Sequence, residues 1–472
     1  MKSAFNHHAR ARGVMSENVL EFMREPLPQD LQVLAKSGRY SEAKSLILEL
    51  LRGAGSPLRE RLLFELDRME RLRHEFPYSL EEAYAIASAE VRELSMDEFR
   101  SLLGRGCVDH VLVDGQVKVL RRFLPNMFWL CPELRKRRLR GEDEREVIAR
   151  EVLRGRAERV VEAARARGGG YVLPLRYRVR ARLRVLKPSE YPLRVWIPLP
   201  RQDELHPEVR ILKASPEPKR VAPPDHPQRT VYFELEAGSE VELTYEYVSR
   251  GFHVQVDPKE VSGEVPGELE VYLAERPPHI VFTPALRELA ERIVGGETNP
   301  YLKARKIWDW ITSNVRYTYA MDYALYDNIS EYVATHLRGD CGMQALLFIT
   351  LCRIVGVPAR WQSGWYMNPV SPGMHDWAQF YVEPYGWLYA DPSFGGRRRG
   401  ELWRPEFYFG SIEGYRLAAN VEVSAQFDPP KKFFRSDPVD SQRGEVEAED
   451  RNLYYDEWEF SLDILGVERL PE

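Results

Sequence analysis

Three side chains in the second half of the chain have the types and the order needed for thiol chemistry: Cys341, His375 and Asp391. Cys341 stands near the start of "RGDCGMQALLFITLCRIVGVPAR", where the apolar run after Asp340 predicts a helix buried on every side. With Asp340 as N-cap, Cys341 falls in the first turn. Unpaired N–H groups and the positive end of the helix dipole favour a thiolate there. The position therefore predicts a nucleophilic cysteine.

The same position also fits a purely structural role, because a free cysteine behaves as a small apolar side chain in a protein core. Cys352 illustrates that alternative. It lies about three turns further along the predicted helix, among apolar neighbours, and we expect it to be inert. A nucleophilic Cys341 requires a base, and the base requires a group that orients it.

A base and an orienting group occur in "HDWAQFYVEPYGWLYAD", which reads as two antiparallel strands joined by a turn. Alternation places His375 and Trp377 on one face of the first strand. A connection with an even number of residues would turn Asp391 to the other face. Three connecting residues, or a bulge, would place Asp391 opposite Trp377 and on the face of His375. We therefore expect an odd-length connection or a bulge near residues 383–386.

These segments resemble the transglutaminase-like superfamily, a group of papain-like folds that use Cys, His and Asp in this chain order. The similar pieces, within residues 283–395, are "IWDWITSNVRYTY", "GDCGMQALLFITLCRIVGVPAR" and "HDWAQFYVEPYGWLYADPS". The resemblance implies that Cys341 is the nucleophile, His375 the general base and acid, and Asp391 the residue that orients the histidine. It also implies that a helix bearing the cysteine packs on a small antiparallel sheet.

The sequence departs from the family in the group that would stabilise an oxyanion. The glutamine that papain-type proteases carry a few residues before the cysteine is absent from "YVATHLRGD", and the tryptophan of animal transglutaminases is not evident. Tyr317 or Tyr319 could donate a hydroxyl instead, beside the backbone N–H of Cys341. Each also fits a place in the core. Trp365 and Trp377 are candidates for the wall of a substrate groove, or again for the core.

The chemistry implied is cysteine-dependent acyl transfer on an amide of a protein or peptide substrate. Hydrolysis, as in a protease or amidase, is favoured because water is the abundant acceptor, whereas a transglutaminase would use an amine. The alternative is a non-catalytic scaffold that binds a protein partner and retains the three residues as a relic. Alkylation well below neutral pH would distinguish an activated Cys341 from a relic.

The elements around these residues predict an α+β multidomain chain. Residues 1–167 are predicted to be helical, with a small hairpin at Asp114-Gly115. Residues 171–256 consist of short alternating segments, which are typical of a β-sandwich. Residues 277–400 hold the transglutaminase-like core, and residues 401–472 form a mixed segment that we expect to pack on it.

Composition limits the classes of partner. A net charge of −5 argues against nucleic acid, and no apolar run is long enough to cross a bilayer. The basic start "MKSAFNHHARARG" lacks the apolar run of a secretory signal. Four cysteines do not suggest a disulfide scaffold, so we expect a reducing, cytoplasmic setting. No ligand spacing indicates a metal, no glycine-rich loop indicates a phosphate cofactor, and the oligomeric state is left open.

Overall fold

The computed structural model describes residues 17–141, 143–187, 191–236, 240–396 and 405–472. The basic N-terminal stretch considered above lies outside these ranges. Helices and several antiparallel sheets occur along the described chain, which confirms the mixed α/β composition. None of the helices in the described ranges combines the length and the apolar character needed to cross a membrane.

The α-helices of the described residues are, in chain order, α1 (Gln29–Lys36), α2 (Tyr40–Leu50), α3 (Leu58–Glu75), α4 (Leu80–Ser88), α5 (Met96–Gly104), α6 (Phe123–Leu130), α7 (Glu144–Ala166), α8 (Pro284–Val294), α9 (Pro300–Asn314), α10 (Ile329–His336), α11 (Cys341–Ile354) and α12 (Pro392–Gly395). The strands are β1 (His110–Val113), β2 (Gln116–Val119), β3 (Gly170–Val185), β4 (Leu193–Pro198), β5 (Val209–Ser215), β6 (Arg220–Val221), β7 (Thr230–Leu235), β8 (Glu240–His253), β9 (Arg316–Tyr317), β10 (Arg338–Gly339), β11 (Ala359–Tyr366), β12 (Gly373–Val382), β13 (Gly386–Ala390), β14 (Arg416–Asn420), β15 (Glu445–Glu447), β16 (Asn452–Leu453) and β17 (Trp458–Arg469).

The N-terminal helical region has apolar cores of its own. Ser79 begins α4 with the predicted capping box: its side chain accepts the N–H of Glu82, and the Glu82 side chain accepts the N–H of Ser79. Strands β1 and β2 pair across Asp114-Gly115, as the dipeptide predicts, and both residues have positive φ. The hairpin packs on this core through Val119, so it is a structural part of the region.

Cys107 and Cys131 form a disulfide inside the same core, between the segments that follow α5 and α6. The sequence did not indicate this pairing, because the two cysteines are 24 residues apart and carry no motif. Disulfides persist mainly in oxidising compartments. The bond therefore argues against the reducing setting that the cysteine count suggested.

The middle of the chain forms two antiparallel sheets, in agreement with the alternating segments. One sheet has the order β16-β15-β4-β7-β6 and the other the order β17-β3-β8-β5. Strands β15, β16 and β17 come from the C-terminal segment, and β17 pairs along most of β3. The segment from residue 401 was expected to pack on the core; its strands also complete the β module, because "DEWEFSLDILGVER" alternates as an edge strand does.

The sheet that carries the predicted site has the order β13-β12-β11-β14. Helix α11 packs on β12 and β11, and α8, α9 and α10 pack around α11. One continuous apolar core runs from α7 through the β module and into this sheet. The C-terminal segment belongs to both parts, since β14 lies beside β11. The site is thus embedded in a shared core.

Candidate functional site

Helix α11 begins as the sequence predicts. Asp340 is its N-cap, and its side chain accepts the N–H of Met343 at 3.1 Å. Cys341 is the first helical residue and is 8% exposed, and the helix is buried from Cys341 to Arg353. An all-round apolar sequence therefore gives an all-round buried helix, with the thiol at its positive end.

The surroundings of the Cys341 sulfur differ from the expectation of a thiolate. Sγ donates to Asp376 Oδ2 at 3.4 Å. Burial, together with the charges of Asp376 and Asp340, raises the pKa of the Cys341 thiol well above its ordinary value. These surroundings favour the protonated thiol, whereas the helix terminus favours the thiolate, so an ionised Cys341 stays a prediction. The helix dipole is opposed by desolvation and by two nearby carboxylates.

Strands β12 and β13 form the hairpin that was expected to bring His375 and Asp391 together. Val382 pairs with Gly386, so the connection has three residues, and Ala378 pairs with Ala390. The prediction of an odd-length connection is confirmed. His375 Nε2 lies 2.7 Å from Asp391 Oδ2, and both side chains are buried. The histidine ring stacks on Phe394 with ring centroids 4.3 Å apart, which further fixes its plane.

Asp391 is held in its charged form by donors on both oxygens. Oδ1 accepts the Ser393 hydroxyl and the Phe394 N–H, each at 3.0 Å, and Oδ2 also accepts Arg416 Nη1 at 3.1 Å. Burial alone would raise the pKa of Asp391, but the charge and hydrogen bond of His375 and the charge of Arg416 hold it well below its usual range. The carboxylate can therefore orient the imidazole and stabilise its protonated form.

Arg416 is a functional candidate that sequence reasoning missed. It is fully buried in β14, and its guanidinium also binds both oxygens of Glu413 at 2.7 and 3.0 Å. Its charge lies 4.8 Å from the centre of the Trp377 ring. The only signal for it was an arginine in an alternating strand of the C-terminal segment, which no motif linked to Asp391.

The structure thus brings His375 and Asp391 into direct contact and places Cys341 against Asp376, the residue that follows His375 in β12. Nε2 of His375 hydrogen-bonds to the carboxylate of Asp391. Nδ1 is then the ring nitrogen that would serve a thiol in the roles implied by the resemblance.

A tyrosine other than the two predicted ones lies beside the start of α11, where Cys341 stands. The rings of Tyr317 and Tyr319 pack on Trp129, each with ring centroids 5.1 Å apart. The Tyr323 hydroxyl instead donates to Asp340 Oδ1 at 2.5 Å. A Cβ built on Gly342 would lie within 3.0 Å of that hydroxyl. Tyr323 is therefore an additional oxyanion candidate, and Gly342 allows the close approach that the sequence suggested.

The two predicted groove tryptophans have different surroundings. Trp377 is 0% exposed and its Nε1 donates to Gln362 Oε1 at 2.6 Å. Its assignment to a groove wall is wrong, because the ring is enclosed by the sheet and by Arg416. Trp365 is partly exposed, and its Nε1 donates to the backbone oxygen of Gln442 at 2.7 Å. Trp365 remains a groove candidate.

Three other carboxyls interact with the buried Asp376, and no sequence pattern indicated this group. Asp437 and Asp440 reach it from the C-terminal segment, and Asp340 from α11. Burial raises the pKa of Asp440 to about 6, and burial with the charge of Asp440 raises that of Asp437 to about 8. In the described residues, no three His, Cys, Asp or Glu side chains are grouped so as to hold a metal ion.

Comparison with known proteins agrees with the fold of this region. Residues 287–392 match the model of the transglutaminase-like superfamily, so this part of the chain is a transglutaminase-like core. An uncharacterised protein from Haemophilus influenzae is 27% identical over 157 residues, which are 28% of this chain and 42% of that protein. The matched part thus spans less than half of that relative.

Two solved structures are similar at low identity. A candidate cysteine protease from Cytophaga hutchinsonii is 15% identical, covers 64% of this chain and 93% of its own, and superposes with a TM-score of 0.39. The periplasmic domain of TgpA from Pseudomonas aeruginosa is 14% identical, covers 54% and 96%, and has a TM-score of 0.28. At such low identities and TM-scores, neither similarity indicates the function of this chain.

Proposed function

We propose that the transglutaminase-like core at residues 287–392 carries out acyl transfer from an amide, with Cys341 as nucleophile, His375 as base and acid, and Asp391 as the orienting group. The observation that carries the proposal is the buried 2.7 Å hydrogen bond between His375 Nε2 and Asp391 Oδ2. A buried imidazole oriented by an ionised carboxylate is what a thiol nucleophile requires, and a merely structural hairpin does not need it.

In the proposed reaction, the Cys341 proton passes to His375 Nδ1 as the sulfur attacks the amide carbonyl carbon. The oxyanion accepts the Cys341 N–H and a tyrosine hydroxyl. Tyr323 is the candidate, and its hydroxyl proton would have to turn from Asp340 Oδ1 to the oxyanion. The imidazolium then gives its proton to the leaving amine, and an acyl-thioester remains on Cys341. His375 next takes a proton from water as the water oxygen attacks the thioester carbon. The carbon–sulfur bond breaks, the carboxylic acid is released, and the imidazolium returns the proton to the Cys341 sulfur.

Hydrolysis is the favoured outcome because water is the abundant acceptor. An amine in place of water would give transamidation, as in a transglutaminase. The substrate in either case is a protein or peptide amide. A cytoplasmic location remains a prediction, and the Cys107–Cys131 disulfide argues against it.

A non-catalytic scaffold is the second candidate, and one observation favours it. Cys341 is enclosed, donates to Asp376 and has a raised pKa, whereas an activated cysteine has a lowered one. In such a protein the His375–Asp391 pair would serve only to hold the hairpin together, and the partner would be another protein.

A peptide-library turnover assay decides between the two candidates. The native protein is compared with Cys341→Ala and Cys352→Ala, with and without an added primary amine. We expect turnover by the native protein and by Cys352→Ala, since Cys352 is buried near the C-terminal end of α11, and none by Cys341→Ala. Equal background from all three proteins would favour the scaffold, and amine-containing product would move the assignment from hydrolase to transferase.

A further inference from the structure

The hydrogen-bond acceptor of the Cys341 thiol is a carboxyl group, that of Asp376. The sulfur lies 3.4 Å from Oδ2. The approach is built into the start of α11, because a Cβ on Gly342 would lie within 3.0 Å of the same oxygen. Asp376 is 5% exposed, so little water screens its effect on the sulfur.

Gln442 holds this carboxyl from the opposite side. Gln442 lies in the C-terminal segment between β14 and β15, and its Nε2 donates to Asp376 Oδ1 at 2.5 Å and to the backbone oxygen of His375 at 3.3 Å. The backbone oxygen of Gln442 accepts the indole N–H of Trp365. The C-terminal segment therefore hydrogen-bonds to His375 and Asp376, two adjacent residues of β12 at the candidate site.

The negative charges around Asp376 favour the protonated forms of both Asp376 and Cys341. Titratable groups from several elements face Cys341 and Asp376. Asp340 lies at the start of α11, Tyr323 precedes that helix, and Asp391 comes from the hairpin. Asp437 and Asp440 come from the C-terminal segment, where Arg435 is the cation that faces them. Burial and the charges of Asp440 and Asp340 raise the pKa of Asp376 well above its usual range. The Cys341 pKa is raised as well, so the sulfur keeps its proton at neutral pH.

We propose that Asp376 determines whether Cys341 carries its proton, and that Gln442 positions Asp376 to do so, which keeps the sulfur in its thiol form. Both are positioning residues, because they act through Cys341. The consequence for turnover rests on the proposed function; the effect on the thiol does not.

The test measures alkylation of Cys341 by iodoacetamide from pH 6 to 10 in the full chain, followed by peptide mass spectrometry, with buried Cys352 as internal reference. We expect Asp376→Asn to react about tenfold faster at the alkaline end of this range, where Asp376 of the native chain is ionised and its charge opposes the thiolate, because each unit of pKa changes the thiolate fraction tenfold. Gln442→Ala should react roughly three- to tenfold faster, since it releases Asp376 without removing it.

Two exposed residues give matched controls. Asp450→Asn and Gln116→Ala make the same chemical changes at exposed positions and should alkylate like the native chain. Native-like rates in folded Asp376→Asn and Gln442→Ala would overturn the inference; if Asp376→Asn does not fold, Gln442→Ala alone decides. A shift in alkylation without peptide turnover would keep the inference and refute the proposed function. Turnover without a shift would do the reverse.

Discussion

The contact between His375 and Asp391 is the residue-level feature on which the proposed chemistry depends. Asp391→Asn keeps the shape of the side chain but removes its charge, so the imidazolium loses its partner. We expect kcat/KM for peptide hydrolysis to fall by about 10²–10⁴-fold, with the fold retained. Steady-state kinetics and circular dichroism measure the two effects.

Ser393→Ala is the matched control for that prediction. It removes one donor to Asp391 Oδ1 and leaves the bond to His375 intact. Its loss of activity should stay below about tenfold, in line with one hydrogen bond to a charged group. An Asp391→Asn enzyme as active as Ser393→Ala would show that the carboxylate does not orient the base.

Three tyrosines compete for the role of oxyanion donor, and the Tyr323 hydroxyl lies at the start of α11, where it donates to Asp340. We expect Tyr323→Phe to lower kcat by about 10²–10³-fold with a smaller change in KM, because an oxyanion donor acts in the transition state. Tyr317→Phe and Tyr319→Phe serve as controls in the same kinetic assay. A larger loss of kcat in either control than in Tyr323→Phe would contradict the assignment.

At the scale of elements, the hairpin and helix α11 could be predicted from sequence because their determinants are local. The period of two in "HDWAQFYV", the three residues of the turn and the N-cap of α11 fix where His375, Asp391 and Cys341 lie. The direction in which the Cys341 pKa is shifted could not be predicted from the sequence. It depends on Asp376, which comes from another element and carries no spacing signal. Arg416 and Gln442 were missed for the same reason.

The buried carboxyls of the C-terminal segment predict an unusual dependence of stability on pH. The folded-state pKa of Asp437 is about 8, well above the value of an unfolded aspartate. A raised carboxyl pKa contributes stability that is complete below the unfolded value and is lost as pH rises through the folded one. The native chain should therefore lose stability from about pH 4 to about pH 8, and the loss should level off above the folded-state pKa.

Asp437→Asn should reduce the loss of stability with rising pH. The amide keeps the oxygen that accepts the N–H groups of Val439 and Asp440 and cannot ionise. Thermal unfolding midpoints measured from pH 5 to 9 test the prediction, with Asp450→Asn as an exposed control. A slope in Asp437→Asn equal to that of the native chain would contradict the assignment of the titrating group.

At the scale of the whole molecule, the C-terminal segment joins the β module to the sheet that carries the candidate site. Strand β14 lies beside β11, whereas β15 and β17 lie in the two sheets of the β module, and one apolar core includes all of them. No local pattern could assign strands of one segment to three sheets, because each pairing is a long-range choice. The positions of these strands explain why Gln442 reaches Asp376.

Removal of residues 457–472 should destabilise the β module and the core together. It exposes the edge of β3 and removes the buried Trp458 and Leu462, which should cost more than about 3 kcal/mol of unfolding free energy. Removal of residues 471–472 alone should cost less than about 1 kcal/mol, since it breaks only surface contacts. Thermal unfolding and limited proteolysis compare the two truncations, and equal stability would contradict a shared core.

The most direct measurement of the central claim is the mass of the acyl intermediate. A peptide ester that the protein hydrolyses is mixed with the native chain, quenched in acid and analysed by intact mass and peptide mapping. We predict one added acyl group on the peptide that contains Cys341, with no such adduct in Cys341→Ala and far less in His375→Ala. Hydrolysis without this adduct, or an adduct on another residue, would contradict the claim that Cys341 is the nucleophile.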